Sequence, residues 1–311
     1  YFYAEFSKPY KDLGIHSIDY KPYYAKADFN TRSGEQILMK VALSPVSMEN
    51  AYENMQAELP GWDFDETVRQ AETAWNDELG RIRIETKDED ALKIFYTALY
   101  HSMIAPSTFS DIDGSYRGAD GQSYEDPGHQ MYTTFSLWDT YRAAMPLYSI
   151  FQSERYKDFI NTMLDIYKRQ GKLPVWHLAG NETNCMIGNP GVIVMADLIL
   201  KGFVKDVPAA LEAMKASSML DERGQELLKV YGFIPYDKSA ELETASKALE
   251  FAIADACLAK VAAEYGETET AEHFAERSQS WKKYYDAEVG FVRGRASDGT
   301  WRSPFDPFKA L

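Results

Sequence analysis

Cysteine is nearly absent from this sequence, which contains only Cys185 and Cys257. Two such residues, far apart in the chain, form neither the disulfide framework of a small secreted domain nor a zinc cluster. Among the five histidines, His16, His101 and His273 do not cluster with cysteines or carboxylates at ligand spacing. The sequence also lacks a glycine-rich phosphate loop and a Gly-x-Ser-x-Gly elbow, so nucleotide chemistry and serine hydrolysis have no support.

Basic residues are scarce relative to acidic ones. Lys and Arg total 33 against 48 Asp and Glu, which gives a net charge of −15. This balance argues against nucleic acid or an anionic membrane as a partner, because both attract a basic surface. No apolar run approaches the roughly 20 residues that span a bilayer, so we expect no membrane span. No signal peptide is recognisable, and because Tyr1 lies inside a predicted strand, we expect the natural N-terminus to lie upstream.

Aromatic residues are abundant by contrast, with 21 Tyr, 16 Phe and 6 Trp. Aromatic faces suit the stacking of sugar rings, but they equally fill the cores of large helical domains. Composition therefore leaves a sugar-binding protein and an aromatic-packed helical protein both open.

The first 45 residues have the pattern of β-structure. Strands are predicted at 1–7 and 36–44, with a turn at 11–14 between them. Two strands do not bury a core alone. We therefore interpret residues 1–45 as the C-terminal strands of an N-terminal β-sandwich domain.

The rest of the sequence is predicted to be helical. Residues 46–88 are interpreted as a helical linker with a short strand at 81–85, and residues 89–311 as the first part of a catalytic domain. Amphipathic helices in this domain alternate with segments such as 192–203, which is apolar on nearly every side and must be buried all round. A double-layered ring of helical hairpins needs both kinds. The predicted fold is mainly α, an (α/α)6 toroid that is incomplete in this chain.

Residues 106–134 form a long polar insertion. Its Asp-Gly and Arg-Gly pairs predict hairpin turns. The run Asp111-Ile-Asp-Gly114 resembles the start of a calcium loop, but the glycine comes too early and the terminal glutamate is out of place. We interpret this run as a turn.

The segment 171–188 separates two strongly helical stretches. A proline and a glycine within it interrupt any helix, and its apolar residues argue against disorder. Trp176 and His177 precede a polar run at 181–184, which places many hydrogen-bonding groups beside an aromatic face. Long loops in compact domains are usually functional or disordered, so we interpret this loop as the wall of a polar pocket.

A second polar cluster opens the helix predicted from Phe135, where Ser136 and Asp139 have a spacing close to that of a capping box. We predict that this cluster and the 171–188 loop together form a sugar-binding pocket. Trp138 would stack on a sugar face, while Asp139 would accept hydrogen bonds from hydroxyl groups. The candidate substrate-binding residues are Trp138, Asp139, Arg142, Asn181, Glu182 and Cys185.

Several of these assignments have an alternative that the sequence leaves open. Asp139 can be a helix-terminal residue that faces the macrodipole, and Arg142 can pair with Asp139 at i, i+3. Glu182 can be a catalytic acid, a ligand-binding carboxylate or a buried structural partner. Cys185 can touch a ligand, but a lone cysteine without a partner histidine is weak support for a nucleophile.

Five segments resemble successive motifs of glycoside hydrolase family 92, and the similarity spans essentially the whole chain. They are Phe95-Tyr-Thr-Ala-Leu-Tyr-His101, Phe135-Ser-Leu-Trp-Asp-Thr-Tyr-Arg142, Leu173 to Gly188, Ala245 to Asp255, and Ser303-Pro-Phe-Asp-Pro-Phe308. The resemblance implies a calcium-dependent, exo-acting α-mannosidase that inverts configuration, with a β-sandwich packed on an (α/α)6 catalytic domain. Its partner would be an α-mannoside oligosaccharide or glycan, with α-1,2 or related linkages of N-glycans or mannans. The enzyme would be secreted, periplasmic or at the cell surface.

The resemblance also implies where the chemistry lies. An inverting glycosidase uses a general acid and a general base roughly 6.5–9.5 Å apart. The family segments that carry both would follow Leu311, so we assign no catalytic residue here, and the calcium ligands are not placed. The same resemblance makes Glu182 a pocket residue. Met145, where family members often have histidine, and the run Asn189-Pro-Gly depart from the family pattern.

Two alternative functions stay open at this point. The first is a complete, non-catalytic carbohydrate-binding protein or an inactive remnant, which would bind mannose without turnover. The second is another (α/α)6 glycosidase or a polysaccharide lyase, which would keep the fold and change the chemistry.

Overall fold

The computed structural model describes residues 1–16, 24–241 and 243–309. Its first part contains two antiparallel strand pairs, β1 with β4 and β2 with β3. These strands are β1 (Phe2–Phe6), β2 (Asp12–His16), β3 (Tyr24–Asp28) and β4 (Met39–Leu43). Strands β1 and β4 confirm the two predicted strands. The turn predicted at 11–14 is wrong, because Leu13 and Gly14 pair with Ala27 and Lys26 of a strand that carries no alternating large apolar residues.

Helices dominate the remainder of the described chain, so the fold is mainly α. They are α1 (Met48–Glu58), α2 (Phe64–Leu79), α3 (Glu89–Ser102), α4 (Leu137–Thr140), α5 (Ala144–Phe151), α6 (Ser153–Gln170), α7 (Pro190–Leu200), α8 (Val207–Ser218), α9 (Gln225–Tyr231), α10 (Thr244–Glu264) and α11 (Thr268–Arg277), followed by a 3₁₀ segment (Ser278–Tyr284). Within the described ranges, no helix is both long and apolar enough to cross a bilayer.

In the described part of the chain, nine short strands lie between these helices or after the last of them. They are β5 (Ser107–Thr108), β6 (Tyr116–Arg117), β7 (Ser123–Tyr124), β8 (Tyr132–Thr133), β9 (Phe135–Ser136), β10 (Trp176–Leu178), β11 (Asn181–Glu182), β12 (Tyr285–Asp286) and β13 (Phe291–Val292). The strand predicted at 81–85 is wrong, because this stretch is irregular and pairs with no other strand of the described chain. A strand forms only where a neighbouring strand accepts and donates its backbone hydrogen bonds, and an alternating sequence pattern does not provide that neighbour.

Helices α1, α2, α3 and α8 each begin where a side-chain oxygen accepts a hydrogen bond from a free backbone amide. Asp63 accepts a hydrogen bond from the Glu66 amide at 2.9 Å, and Asp88 accepts from the amides of Asp90 and Ala91. These carboxylates also face the positive end of the helix dipole.

Helices α7 and α10 lie within the main apolar core. Eight of the eleven residues of α7 are buried. Helix α10 packs against α7, α8 and α11, and it buries Phe251, Ala254 and Leu258. Helix α11, by contrast, buries only Phe274. This difference agrees with inner helices buried on several faces and outer helices that face water. Closure into a toroid, the β-sandwich and the domain bounds stay predictions.

The polar insertion is joined to the N-terminal part by a buried carboxylate. Asp111 is 6% exposed and accepts hydrogen bonds from the Ser44 hydroxyl at 2.6 Å and the Asn54 side-chain amide at 2.8 Å. The amide of Gly114 donates to the Asp111 carbonyl at 2.9 Å, which closes the predicted turn. Strands β6 and β7 form the hairpin expected downstream. Asp111 therefore acts as a structural anchor.

Candidate functional site

A three-stranded antiparallel sheet joins the two predicted halves of the pocket. Strand β10 lies in the middle, with Trp176 opposite Ser136 on β9 and His177 opposite Glu182 on β11. The segment that carries Trp138 and the 171–188 loop are thus held side by side by backbone hydrogen bonds, although they are distant in sequence. The sequence predicted that these segments meet but not that they pair as strands.

Glu182 is bonded to the backbone of its own loop. One carboxylate oxygen accepts from the amide of Val175 at 2.8 Å, and the other accepts from the amides of Trp176 and Asn184, each at 2.9 Å. The side chain is half-buried. These contacts are those of a structural partner, one of the three roles left open above. They join the start of β10 and the residues after β11 to a single side chain.

Asp139 is exposed at the start of the short helix α4. The Ser136 hydroxyl donates directly to its carboxylate. The capping box predicted here is wrong, because neither side chain bonds the backbone amides at the start of α4. A helix of four residues leaves little of a dipole to complement. The Asp139 carboxylate is therefore oriented by Ser136 and open to solvent on its other side.

Arg142 does not form the predicted alternative ion pair with Asp139. Its guanidinium donates to Glu250 on α10 at 2.8 Å. The same guanidinium lies over the rings of Trp138 and Tyr141, 4.7 Å and 4.6 Å from their centroids. A cation between two aromatic faces gains from both ring quadrupoles. Arg142 therefore covers one face of Trp138.

Tyr141 donates its hydroxyl to Glu250 at 3.0 Å. Burial, with the neighbouring Glu250 charge, raises the pKa of Tyr141 to about 12. The hydroxyl therefore stays protonated and acts as a donor at physiological pH. Neither Tyr141 nor Glu250 was among the candidate residues. Both stand inside the family-like motifs quoted above, and that was the only sequence signal for them.

His177 is buried, at 2% exposure, and neither ring nitrogen has a hydrogen-bond partner among the described residues. Burial lowers the pKa of His177 to about 4, although the Glu182 charge acts in the opposite direction. The imidazole is therefore neutral at physiological pH, with one ring nitrogen protonated and the other not.

The far end of the loop is anchored by Arg223. This side chain donates to the carbonyls of Met186 and of Gly188, the latter at 3.0 Å. Burial lowers the pKa of Arg223. Cys185 and Asn181 are exposed on the loop, where Thr183 donates to the Cys185 sulfur at 3.2 Å and Asn181 donates to the Ala179 carbonyl at 3.1 Å.

A model of the glycosyl hydrolase family 92 catalytic domain matches residues 50–310 of this chain. The chain belongs to glycosyl hydrolase family 92. The predicted family is thereby confirmed, and the candidate residues all lie inside the matched region.

Solved structures of family 92 enzymes share the fold. An α-mannosidase from Bacteroides thetaiotaomicron is 36% identical, with a TM-score of 0.88 over 99% of this chain and 44% of that one. An inverting mannosidase of the family from the same organism is 28% identical, with a TM-score of 0.87 over 99% of this chain and 44% of that one. The first enzyme has also been solved with mannoimidazole, where the TM-score is 0.87.

A more distant relative is an uncharacterized secreted glycosidase of Arthroderma benhamiae. It is 24% identical over 310 residues, which cover 89% of this chain and 36% of that protein. The chain therefore spans less than half the length of each of these relatives. Together they establish a glycosidase family.

The family resemblance implies a calcium ion, whose ligands would be oxygen atoms. In residues 1–16, 24–241 and 243–309, no group of three or more His, Cys, Asp or Glu side chains converges to hold a metal. Both oxygens of Glu182 already accept backbone amides, and Asp139 accepts from Ser136. These residues alone do not fit a calcium site, because such sites use six to eight oxygens.

Proposed function

We propose that this chain forms part of an exo-acting, inverting α-mannosidase. The observation that carries the proposal is the match to a family 92 α-mannosidase along 99% of this chain, at 36% identity. Two further facts support it: a second relative is named an inverting mannosidase, and the first binds mannoimidazole. A net charge of −15 is compatible with a neutral glycan as substrate.

In this proposal the described residues bind and orient the sugar. The exposed carboxylate of Asp139 accepts hydrogen bonds from sugar hydroxyls, and the face of Trp138 opposite Arg142 stacks on the ring. Asn181 and Cys185 are exposed on the 171–188 loop and would contact the same sugar from there. The contacts of Glu182 and Arg142 lie within the protein, so they shape the pocket wall.

Inversion at the anomeric carbon needs one carboxylic acid to protonate the leaving oxygen and one carboxylate to activate water. We assign neither role to a described residue, and we propose that both groups lie outside residues 1–311. Water then attacks the anomeric carbon from the face opposite to the leaving group, and the bond to the leaving oxygen breaks as that oxygen takes the proton.

The substrate is proposed to be the α-linked mannose at the end of an N-glycan or mannan, with α-1,2 or related linkages. A secreted, periplasmic or cell-surface location fits such a substrate, and one relative is named as secreted. Calcium dependence stays a prediction from the family resemblance, and no step above passes through the metal.

The test uses the polypeptide of the complete reading frame, beside the 311-residue chain. We expect release of mannose from α-mannosides but no cleavage of uronic-acid polymers, and the first-formed anomer should be β by NMR. Incubation with a chelator should abolish activity and added Ca²⁺ should restore it. Binding of mannose without turnover by the complete polypeptide would favour the carbohydrate-binding alternative. Cleavage of uronic-acid polymers would favour the lyase.

A further inference from the structure

Glu250 lies where three separate segments of the chain converge. Its carboxylate is 13% exposed and sits on α10. One oxygen accepts from the Arg142 guanidinium at 2.8 Å, and the other accepts from the Tyr141 hydroxyl at 3.0 Å. Both partners lie within three residues of Asp139 in the sequence. A single carboxylate thus fixes the end of the turn that carries the proposed sugar-binding residues.

The 171–188 loop reaches the same residue. Gly188 has a φ of +78°, and a Cβ built on it would stand 2.6 Å from the Cβ of Glu250 and 3.5 Å from its carbonyl carbon. Only glycine allows so close an approach of this backbone to α10. On its other side the loop end is held by Arg223, which donates to the Gly188 carbonyl. The loop therefore ends pressed against the part of α10 that holds Arg142.

We propose that Glu250 is a positioning residue that keeps the 138–142 turn and the 171–188 loop at one fixed separation. This role rests on the proposed function, because it supposes that the two segments bind one sugar between them. Glu250 acts through Arg142: the ion pair holds the guanidinium against Trp138, and the covered indole presents its free face to the ligand.

The strength of these contacts is consistent with that role. Hydrogen bonds between a guanidinium and a carboxylate are charge-assisted, and Glu250 is only 13% exposed, although Arg142 is 45% exposed, so water screens the pair in part. Loss of the carboxylate would leave Arg142 between two rings without its anion and Tyr141 without its acceptor. Helix α10 itself would persist, because Phe251, Ala254 and Leu258 remain buried against its neighbours.

The experiment compares Glu250→Ala and Glu250→Gln in the polypeptide of the complete reading frame. Glu264→Ala is the matched control, since Glu264 is exposed at the end of the same helix. For Glu250→Ala we expect kcat/KM to fall at least about tenfold, mainly through KM, because the sugar-binding geometry is lost while the reacting groups are untouched. Glu250→Gln keeps an acceptor oxygen and should recover part of this loss.

A double-mutant comparison separates positioning from general structural damage. If Glu250 acts through Arg142, then Arg142→Ala/Glu250→Ala should be no more than about threefold worse than Arg142→Ala alone. Additive losses, or no rescue by Gln, would overturn the proposal. So would a Glu250→Ala enzyme that matches the Glu264→Ala control in KM and kcat.

Hydrogen exchange supplies a readout that needs no substrate. In Glu250→Ala, amides of residues 136–143 should exchange at least about tenfold faster than in the wild type, while the Glu264→Ala control leaves them unchanged. The contact with Gly188 is made by the Cβ and backbone of Glu250, which alanine keeps. Unchanged exchange in residues 136–143 overturns the role of Glu250. A wild-type polypeptide that hydrolyses no α-mannoside instead refutes the proposed function, and the exchange experiment then still decides whether Glu250 holds the 138–142 turn against α10.

Discussion

Asp255 on α10 and Arg277 at the end of α11 form a buried two-point ion pair. The guanidinium donates to the two carboxylate oxygens at 2.7 Å and 2.5 Å, and the side chains are only 1% and 8% exposed. The same guanidinium donates to the carbonyl of Ser218 at the end of α8 at 2.8 Å. Three helices are thereby tied together through one cation.

Replacement of Asp255 by Ala should strongly destabilise the fold. Removing one partner of a buried pair leaves an uncompensated charge, at a cost of about 3–5 kcal/mol. Urea unfolding should show this loss as a lower midpoint at an unchanged slope. The control is Glu154→Ala, which removes an ion pair whose acid is 84% exposed and should change the free energy of unfolding by less than about 1 kcal/mol. Equal effects of the two variants would contradict the buried role.

Acid should destabilise the protein through His177. Because burial holds its pKa at about 4 instead of the ordinary 6.5, the unfolded chain takes up a proton between these values while the folded chain does not. Stability is therefore present above pH 6.5 and falls as the pH drops toward 4, by at most about 3 kcal/mol from this group.

The measurement is the free energy of unfolding between pH 4 and pH 7. His177→Gln should flatten the slope in this window, because its side chain does not titrate. His101→Gln should keep the wild-type slope, since His101 is exposed. A slope that survives in His177→Gln would show that another group causes the acid sensitivity.

Features that depend on residues close together in the sequence were predicted correctly, and features that depend on contacts between distant segments were missed. Helices α2, α3 and α6 are predictable because the apolar period, the acidic caps and the glycine after α6 all lie within one segment. The strand predicted at 81–85 fails for the opposite reason: alternation is local, but a strand exists only where a partner lies beside it.

The candidate site depends on contacts of long range. Strands β9 and β11 have two residues each, too few for a periodic signal, and their pairing with β10 joins segments that are distant in sequence. The Arg142–Glu250 pair spans 108 residues. The residue types of the pocket could therefore be proposed from sequence, while the partners that orient Arg142 and Glu182 could not.

Replacing Glu182 by Gln distinguishes a structural role of this residue from a role as general acid. If Glu182 holds the backbone amides of Val175, Trp176 and Asn184, the Gln variant should lose about 1–3 kcal/mol of unfolding free energy. The reason is that an amide side chain offers one acceptor oxygen where the carboxylate offers two. If Glu182 were a general acid, the Gln variant would instead lose activity on substrates with poor leaving groups and keep activity on activated aryl mannosides. We expect the first result, measured by urea unfolding together with rates on both substrate types. A leaving-group-dependent loss without loss of stability would reassign Glu182 to catalysis.

Asp139 should show the reverse behaviour, since its carboxylate is exposed and, among the residues that the structure describes, accepts a hydrogen bond only from Ser136. Asp139→Ala should change the free energy of unfolding by no more than about 0.5 kcal/mol, as is usual for exposed positions. In the polypeptide of the complete reading frame it should lower kcat/KM for α-mannosides at least about a hundredfold, because hydrogen bonds from sugar hydroxyls to a carboxylate are lost. Asp77→Ala, on the exposed face of α2, is the control and should leave the rate unchanged. If Asp139→Ala and Glu182→Ala both retain the wild-type kcat/KM, the sugar pocket does not lie between the 138–142 turn and the 171–188 loop.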